Sequence, residues 1–245
     1  MFENFRTFET TLAGRPLVIE TGKMAGLANG SVLCRYGDTA VLCCATASEK
    51  PRDGIDFLPL SVDFDERMYA AGKIPGGYLK REGKPSEKAV LTSRVIDRPI
   101  RPLFPKDLRN DVALTLVVMS VDPDCSPEIT AMIGASTALA ISDIPWNGPI
   151  GGAFMGLVDG KIVLNPTAEE QKKSDLQLTV AASMKKVVMI EAGANQVDDD
   201  TMYAAIMQAH EEIKKVVAFI NTIVAEIGKP KFSYPSCEVD HDMFD

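Results

Sequence analysis

The sequence predicts an α+β fold in which a mixed sheet packs against helices. Strand-like runs separated by turn signals fill the first third of the chain, helix and strand patterns alternate after it, and a long amphipathic helix follows them. With 245 residues, 46% of them hydrophobic and 24% charged, the chain has the composition of an ordinary globular protein. We expect one domain over residues 1–228 and a polar, acidic linker over residues 229–245.

Turn dipeptides separate the apolar runs of the first third, which indicates two hairpins. A near-continuous apolar run near the middle of the chain predicts a strand buried on both faces, and four shorter strands follow it. The predicted strands are Phe5–Leu12, Arg15–Glu20, Ser31–Tyr36, Thr39–Ala47, Asp56–Phe64, Val112–Val121, Gly152–Val158, Lys161–Leu164, Leu176–Ala182 and Lys186–Glu191.

Three helices are predicted, two of them from start and stop signals. Ser86 is a typical N-cap with Glu87 in the first turn, and Pro99 should kink or end that helix. The run Ile129–Ile141 is rich in Ala and Gly, which favours a helix packed close to a sheet. The long helix begins near Asp198-Asp199-Asp200 and ends at Gly228-Lys229-Pro230.

The net charge of −8 conceals a strong asymmetry. The segment Arg67–Arg109 holds eleven Lys/Arg and four Asp/Glu, while the rest holds fifteen Lys/Arg and thirty Asp/Glu. A basic zone on an acidic body attracts a polyanion to one place and repels it elsewhere. A solvated basic loop without a ligand is the alternative that charge alone leaves open.

Within this segment, residues Gly72 to Pro85 hold four Gly and two Pro, which predicts a long loop. The loop contains Tyr78-Leu79-Lys80-Arg81, and an exposed ring beside two cations suits single-stranded RNA. The alternative is a Tyr78 packed on its own domain. The motif GKPS at Gly83–Ser86 lacks the spacing and the hydroxyl of a nucleotide-binding P-loop.

The predicted helix carries Arg94, Arg98 and Arg101 on one face. Arg94 and Arg98 repel each other mildly, so an anion should offset them. Phosphate, which Arg grips with two donors, is one candidate. Internal carboxylates are the other, and Asp97 stands one turn before Arg101.

Several chemistries are disfavoured. The five cysteines form no C-x-x-C pair and read as reduced thiols, mostly buried, and two histidines cannot build a zinc site with them. The acidic run Asp198–Asp200 fits a helix N-terminus better than a metal site, and His210 reads as structural. We find no Ser-His-Asp motif, no apolar run long enough to span a membrane and no secretory signal. We therefore expect a cytoplasmic protein that binds neither membranes nor DNA.

The stretch Ala70 to Pro105, ending in IDRPIRPLFP, resembles the first RNase PH-like domain of the bacterial polynucleotide phosphorylase family. So do Glu20–Ala25, the Gly37-Asp38-Thr39-Ala40-Val41 turn, Ala131–Ser136 and Asn147–Ala153. The resemblance covers essentially the whole chain. It implies an RNase PH-like βαβα fold and a 3′→5′ exoribonuclease of mRNA degradation, which uses inorganic phosphate to release nucleoside diphosphates and can run in reverse.

The resemblance also implies a homotrimer with two such domains per chain around an RNA channel, Mg²⁺ at the catalytic site, and RNA-degradosome partners. The residues after position 228 would then lead to a helical domain outside this chain. The family's channel loop is aromatic-aromatic-Arg-Arg, so Leu79 and Lys80 depart from it. The RNA-binding residues implied are Tyr78, Leu79, Lys80, Arg81, Arg94, Arg98 and Arg101.

The family's catalytic groups belong to the second copy. Where that copy has a Ser-rich phosphate cradle, this chain has Ser126-Pro127-Glu128, and Gln177-Leu178-Thr179 replaces Asp-x-Lys. Pro lacks a donor N–H, Glu repels phosphate, and Gln and Thr are poor magnesium ligands and proton carriers. The expected role is RNA guidance, with no catalytic or metal-binding residue in this chain. A separate RNA-binding ring subunit and a stand-alone RNase PH-like nuclease are the alternatives.

Overall fold

The computed structural model describes residues 3–52, 54–78, 81 and 83–236. Its strands are β1 (Arg6–Leu12), β2 (Arg15–Thr21), β3 (Gly30–Tyr36), β4 (Thr39–Pro51), β5 (Leu60–Glu66), β6 (Asn110–Ser120), β7 (Gly151–Val158), β8 (Lys161–Leu164), β9 (Leu176–Ala182) and β10 (Val187–Ala194). Its helices are α1 (Glu87–Ile100), α2 (Pro127–Ile141), α3 (Ala168–Lys173) and α4 (Asp199–Ile227). Short 3₁₀ turns cover Met68–Ala71 and Arg101–Leu103.

The strands form two sheets where the sequence suggested one. The larger has the order β1-β2-β3-β4-β6-β5, and the smaller β10-β9-β7-β8. Only β5 runs parallel to its neighbour, so the larger sheet is mixed, as predicted. The first hairpin turns at Ala13 and Gly14, whose positive φ values fit a two-residue turn of the type that matches strand twist. The α+β prediction is confirmed.

The helix α2 is the centre of the core. It contacts β3 and β4 of the larger sheet and β7 of the smaller one, and every residue from Ile129 to Ile141 is buried. A side chain at Gly134 would collide with the Cys43 sulfur, so the Ala- and Gly-rich composition permits the close packing that the sequence suggested.

Two strand predictions were wrong in detail. The strand expected over Asp56–Phe64 begins only at Leu60, where pairing with Val112 of β6 starts. The Arg101 side chain donates to the carbonyls of Leu58 and Leu60 at this point. The strand β6 alternates between buried and less buried residues, with Thr115 exposed. One face of the larger sheet therefore stays partly open.

The segment after α4 corrects the expected linker. Residues 229–236 pack on the domain: Lys231 Nζ donates to the carbonyls of Leu139, Ala140 and Ser142 at the end of α2. Tyr234 and Ser236 donate to the two oxygens of Asp107 at 2.8 and 2.7 Å. We name residues 229–236 the C-terminal strap. The rest of the expected linker, 237–245, lies outside the described residues.

Candidate functional site

The basic segment Arg67–Arg109 follows β5 and returns along its outer edge as α1. Lys88 Nζ at the start of α1 lies 3.4 Å from Glu66 Oε1 at the end of β5. Arg101, just after α1, reaches the carbonyls of Leu58 and Leu60 at the beginning of β5. Because α1 runs antiparallel to β5, the glycine-rich loop lies at the carboxyl end of that strand.

The loop presents an aromatic ring and a cation to solvent. Gly72 ends the preceding 3₁₀ turn with φ 67°, and the Arg81 N–H donates to the Gly77 carbonyl at 3.1 Å, as in a helical turn. Tyr78 is 66% exposed and Arg81 is exposed, so the ring is not packed on the domain. Leu79 and Lys80 lie outside the described residues.

Local sequence explains the position of α1. Ser86 Oγ accepts the Ala89 N–H at 3.1 Å, as predicted, and α1 ends at Ile100, one residue after Pro99. The buried face is Ala89, Thr92, Ile96, Pro99 and Ile100. Arg94 and Arg98 are both exposed. They share a face with the exposed apolar side chains Val90 and Leu91.

The three arginines differ in what they contact. Arg94 has no ion pair or side-chain hydrogen bond with any residue that the structure describes. Arg98 Nη1 lies 3.2 Å from Glu191 Oε2 on β10, and the two side chains are 56% and 50% exposed.

Arg101 is held much more firmly. It donates to both oxygens of Asp97, at 3.0 and 2.7 Å, and to the Leu58 and Leu60 carbonyls at 3.3 and 3.0 Å. The internal alternative foreseen for Arg101 is thus the one observed. This geometry gives Arg101 a role in the fold, and its contact with RNA stays a prediction.

The segment expected to match a phosphate cradle is closed by its own side chains. Ser126 Oγ accepts the Ile129 N–H as N-cap of α2, and Pro127 is the first helical residue, without an N–H. Glu128 Oε1 accepts the Thr92 hydroxyl at 3.2 Å. The backbone N–H groups that could bind an anion at the start of this helix are therefore absent or flanked by a carboxylate.

The residues that stand where the family's second copy has Asp-x-Lys lie on β9. Gln177 is exposed and Thr179 is half-buried, and Thr179 stands directly opposite Glu191 on β10. The Arg98–Glu191 pair therefore places α1 beside this part of the smaller sheet. The fold brings the arginine face of α1, the start of α2 and the β9–β10 pair close to one another.

Other polar candidates have structural roles. Asp198 caps α4, and the Thr201 N–H that it accepts holds the pKa of its carboxyl below the ordinary value. His210 lies 3.1 Å from the Ser183 carbonyl. Burial raises the pKa of the Cys125 thiol to about 11, which fits an unreactive thiol.

Two features are absent from the part of the chain that the structure describes. No group of three or more metal-binding side chains was found there. No helix in it is long and apolar enough to cross a membrane.

Sequence reasoning missed two residues that contact or belong to the basic segment. Glu191 is 93 residues from Arg98, and no local pattern joins them. Tyr69, in the 3₁₀ turn before the loop, is 54% exposed with its hydroxyl 3.7 Å from Met119 Sδ. A search for aromatic residues throughout the basic segment would have found Tyr69.

An open cleft of about 540 Å³ lies at the beginning of β5, the end opposite to the glycine-rich loop. Its lining includes Thr46, Ser61, Arg52 and Asp111, and the last two form an ion pair of 3.5 Å. Of the residues predicted from the sequence to bind RNA, none that the structure describes lines this cleft.

Comparison with protein-family models gives two matches. Residues 13–145 match the 3′ exoribonuclease family, domain 1, and residues 148–212 match domain 2 of the same family. The two matches meet between α2 and β7, where the chain passes from the larger sheet to the smaller one.

Curated relatives are polyribonucleotide nucleotidyltransferases. The chain is 64% identical over 241 residues to the protein of Ruminiclostridium cellulolyticum, covering 98% of this chain and 34% of the relative. It is 58% identical to that of Clostridioides difficile, covering 94% and 33%. The chain thus spans about a third of the length of these relatives. Among solved structures, rice (Oryza sativa) Rrp46 matches with a TM-score of 0.68 at 13% identity, covering 92% of this chain and 96% of that one.

Proposed function

Because the chain belongs to the 3′ exoribonuclease family, we propose that it is the RNA-guiding first part of a polyribonucleotide nucleotidyltransferase. In the whole protein, RNA is shortened from its 3′ end, inorganic phosphate is the co-substrate, and nucleoside diphosphates leave. This chain supplies the surface that leads single-stranded RNA toward catalytic groups outside it. The exposed cationic face of α1 beside the Tyr78 loop is the observation that carries the proposal.

Four described residues support RNA contact. Tyr78 offers an exposed ring on which a base can stack, and Arg81 stands beside it for the backbone. Arg94 and Arg98 continue the cationic surface along α1 and can each donate two hydrogen bonds to a phosphate. Lys80 and Leu79 belong to the same loop by sequence and complete the proposed set.

The start of α2 and the β9 positions support a non-catalytic role. Pro127 and Glu128 leave no amide cradle for phosphate. A magnesium site needs several oxygen ligands, and Gln177 and Thr179 stand where carboxylate and lysine would be needed. Among the residues that the structure describes, those at these positions do not fit the Mg²⁺ of the family's reaction, and no step of the chemistry is assigned to them.

The remaining family properties extend the same proposal. The whole protein works as a cytoplasmic homotrimer whose RNase PH-like domains surround an RNA channel, acts in mRNA degradation and associates with degradosome proteins. The face described above then lines the path of the RNA.

Binding of a fluorescein-labelled single-stranded oligoadenylate to this chain, followed by anisotropy at several salt concentrations, tests the proposal. We expect salt-sensitive binding, because cations that contact phosphates release counterions. Arg94→Ala, and Lys80→Ala combined with Arg81→Ala, should weaken binding several-fold. Each lost phosphate contact should reduce the salt slope by about 0.7. Lys161→Ala, on the β8 edge far from β10, is the matched control.

Unchanged affinity and salt slope in both variants would refute the guiding surface. The same preparations, incubated with RNA, Mg²⁺ and phosphate, should release no nucleoside diphosphate. Release by this chain alone would contradict the non-catalytic role and favour a stand-alone nuclease. Sedimentation measured alongside gives the oligomeric state, which sets how many surfaces bind one RNA.

A further inference from the structure

We propose that Glu191 is an internal competitor for RNA: its carboxylate occupies, on Arg98, the place that an RNA phosphate takes when RNA binds. The inference rests on the proposed function and adds a residue that neither the sequence nor the family comparison assigns. It makes Glu191 a determinant of RNA affinity that acts against binding.

The geometry of the pair suits exchange. A single contact of 3.2 Å joins Arg98 Nη1 to Glu191 Oε2, and about half of each side chain is open to solvent. Exposed pairs of this kind contribute little stability and are replaced at low cost. Arg101 is the contrasting case, since its fork is filled by both Asp97 oxygens and two backbone carbonyls.

The charges around the pair favour an outside anion. Arg94 lies one turn before Arg98 on the same exposed face, and none of the described residues pairs with it. Glu191 neutralises only one of these two neighbouring cations. A strand of RNA brings more than one phosphate and can contact both arginines, whereas Glu191 contacts Arg98 alone.

The position of Glu191 makes the competition local. It lies on β10, the edge strand of the smaller sheet, whereas Arg98 lies on α1, which borders the larger sheet. When a phosphate binds Arg98, the Glu191 carboxylate can turn to solvent. No buried charge is left behind, because half of the Glu191 side chain is already exposed.

Glu191→Gln tests the proposal in the same anisotropy measurement. We expect oligoadenylate to bind about two- to fivefold more tightly, the range that release of an exposed ion pair gives. The salt slope should stay the same, because a phosphate contacts Arg98 in both proteins once RNA is bound. Glu191→Asp keeps the charge but shortens the reach to Arg98. The RNA affinity of this variant should therefore lie between those of the unaltered chain and of Glu191→Gln. Glu169→Gln, from an exposed pair of 2.7 Å with Lys172 on α3, should change nothing.

A double-mutant cycle with Arg98→Ala separates competition from general repulsion. In the Arg98→Ala background, Glu191→Gln should no longer raise affinity. The inference is overturned if Glu191→Gln leaves affinity unchanged or lowers it, or if it raises affinity equally with and without Arg98. If the Arg94 and Arg81 variants lose binding while Glu191→Gln leaves RNA affinity unchanged, this inference is wrong and the proposed RNA-guiding role is retained. Absence of RNA binding by the unaltered chain would refute both.

Discussion

At the scale of single residues, the three arginines that the sequence predicts on one helix face have three different surroundings. Arg94 has no described partner, Arg98 has an exchangeable one, and Arg101 is fixed by four hydrogen bonds. A guanidinium that uses four of its five N–H donors internally has little left for phosphate. Residue type and spacing are the same for all three, so only the contacts distinguish a binding role from a structural one.

Arg101→Ala should lower the free energy of unfolding by about 1 kcal/mol, because the carbonyls of Leu58 and Leu60 lose a charged donor in a partly exposed position. Chemical denaturation measures this change. Arg101→Lys should not restore stability, since an ammonium cannot reproduce the planar fork. Arg94→Ala should stay within about 0.5 kcal/mol of the unaltered chain. The reverse order of the two alanine variants would contradict the roles assigned here.

At the scale of elements, α1 protects the outer edge of β5. The Phe64 N–H donates to Ser93 Oγ at 3.1 Å, and Arg101 takes the Leu60 carbonyl. Edge strands with unpaired backbone groups invite pairing with other chains, so side chains from a helix are an effective cover. The same docking holds the arginine face of α1 outward.

Ser86→Ala tests how far the start of α1 supports this arrangement. Loss of the Ser86–Ala89 hydrogen bond should cost about 1 kcal/mol of stability, as measured by denaturation. Ser86→Asp should retain most of it, because a carboxylate also caps and suits the positive end of the helix. If both substitutions were equally damaging, the hydroxyl would have a role other than capping.

At the scale of the whole molecule, two sheets share one core around α2, and the C-terminal strap closes over the end of that helix. Lys231 caps the last carbonyls of α2, and the Phe232 N–H donates to the Asp143 carbonyl at 2.8 Å. The strap continues to Asp107, between α1 and β6. Chain that the sequence suggested to be a linker is therefore part of the domain.

The strap should loosen in acid. Hydrogen bonds from Ser236 and Tyr234 lower the pKa of the Asp107 carboxyl in the folded state. Its stabilisation is then fully present above the unfolded pKa of about 4 and is lost as pH falls through the lower folded value. Asp107→Asn should remove that contribution, so the Tm difference between the two proteins should shrink as pH falls below about 4. A difference that stays constant with pH would contradict this role for Asp107.

Much of the fold could be predicted from the sequence. Both early hairpins, the Ser86 cap, the end of α1 near Pro99 and the full length of α4 follow from local periodicity, capping and turn chemistry, which act over a few residues. The sequence left the position of Tyr78 open, and the structure shows its ring exposed. The start of β5 could not be predicted from local sequence, because it is set by pairing with the distant strand β6, from Leu60 opposite Val112.

By itself the sequence determined the fold class, the family resemblance and the location of the basic segment, since composition, period and motif are local properties. The tertiary structure alone decided that the strands form two sheets, that the strap joins the domain, and which arginines have internal partners. Arg98 meets Glu191 across 93 residues and Tyr234 meets Asp107 across 127. Such pairs form where packing brings distant side chains together, and no short stretch of sequence encodes that proximity.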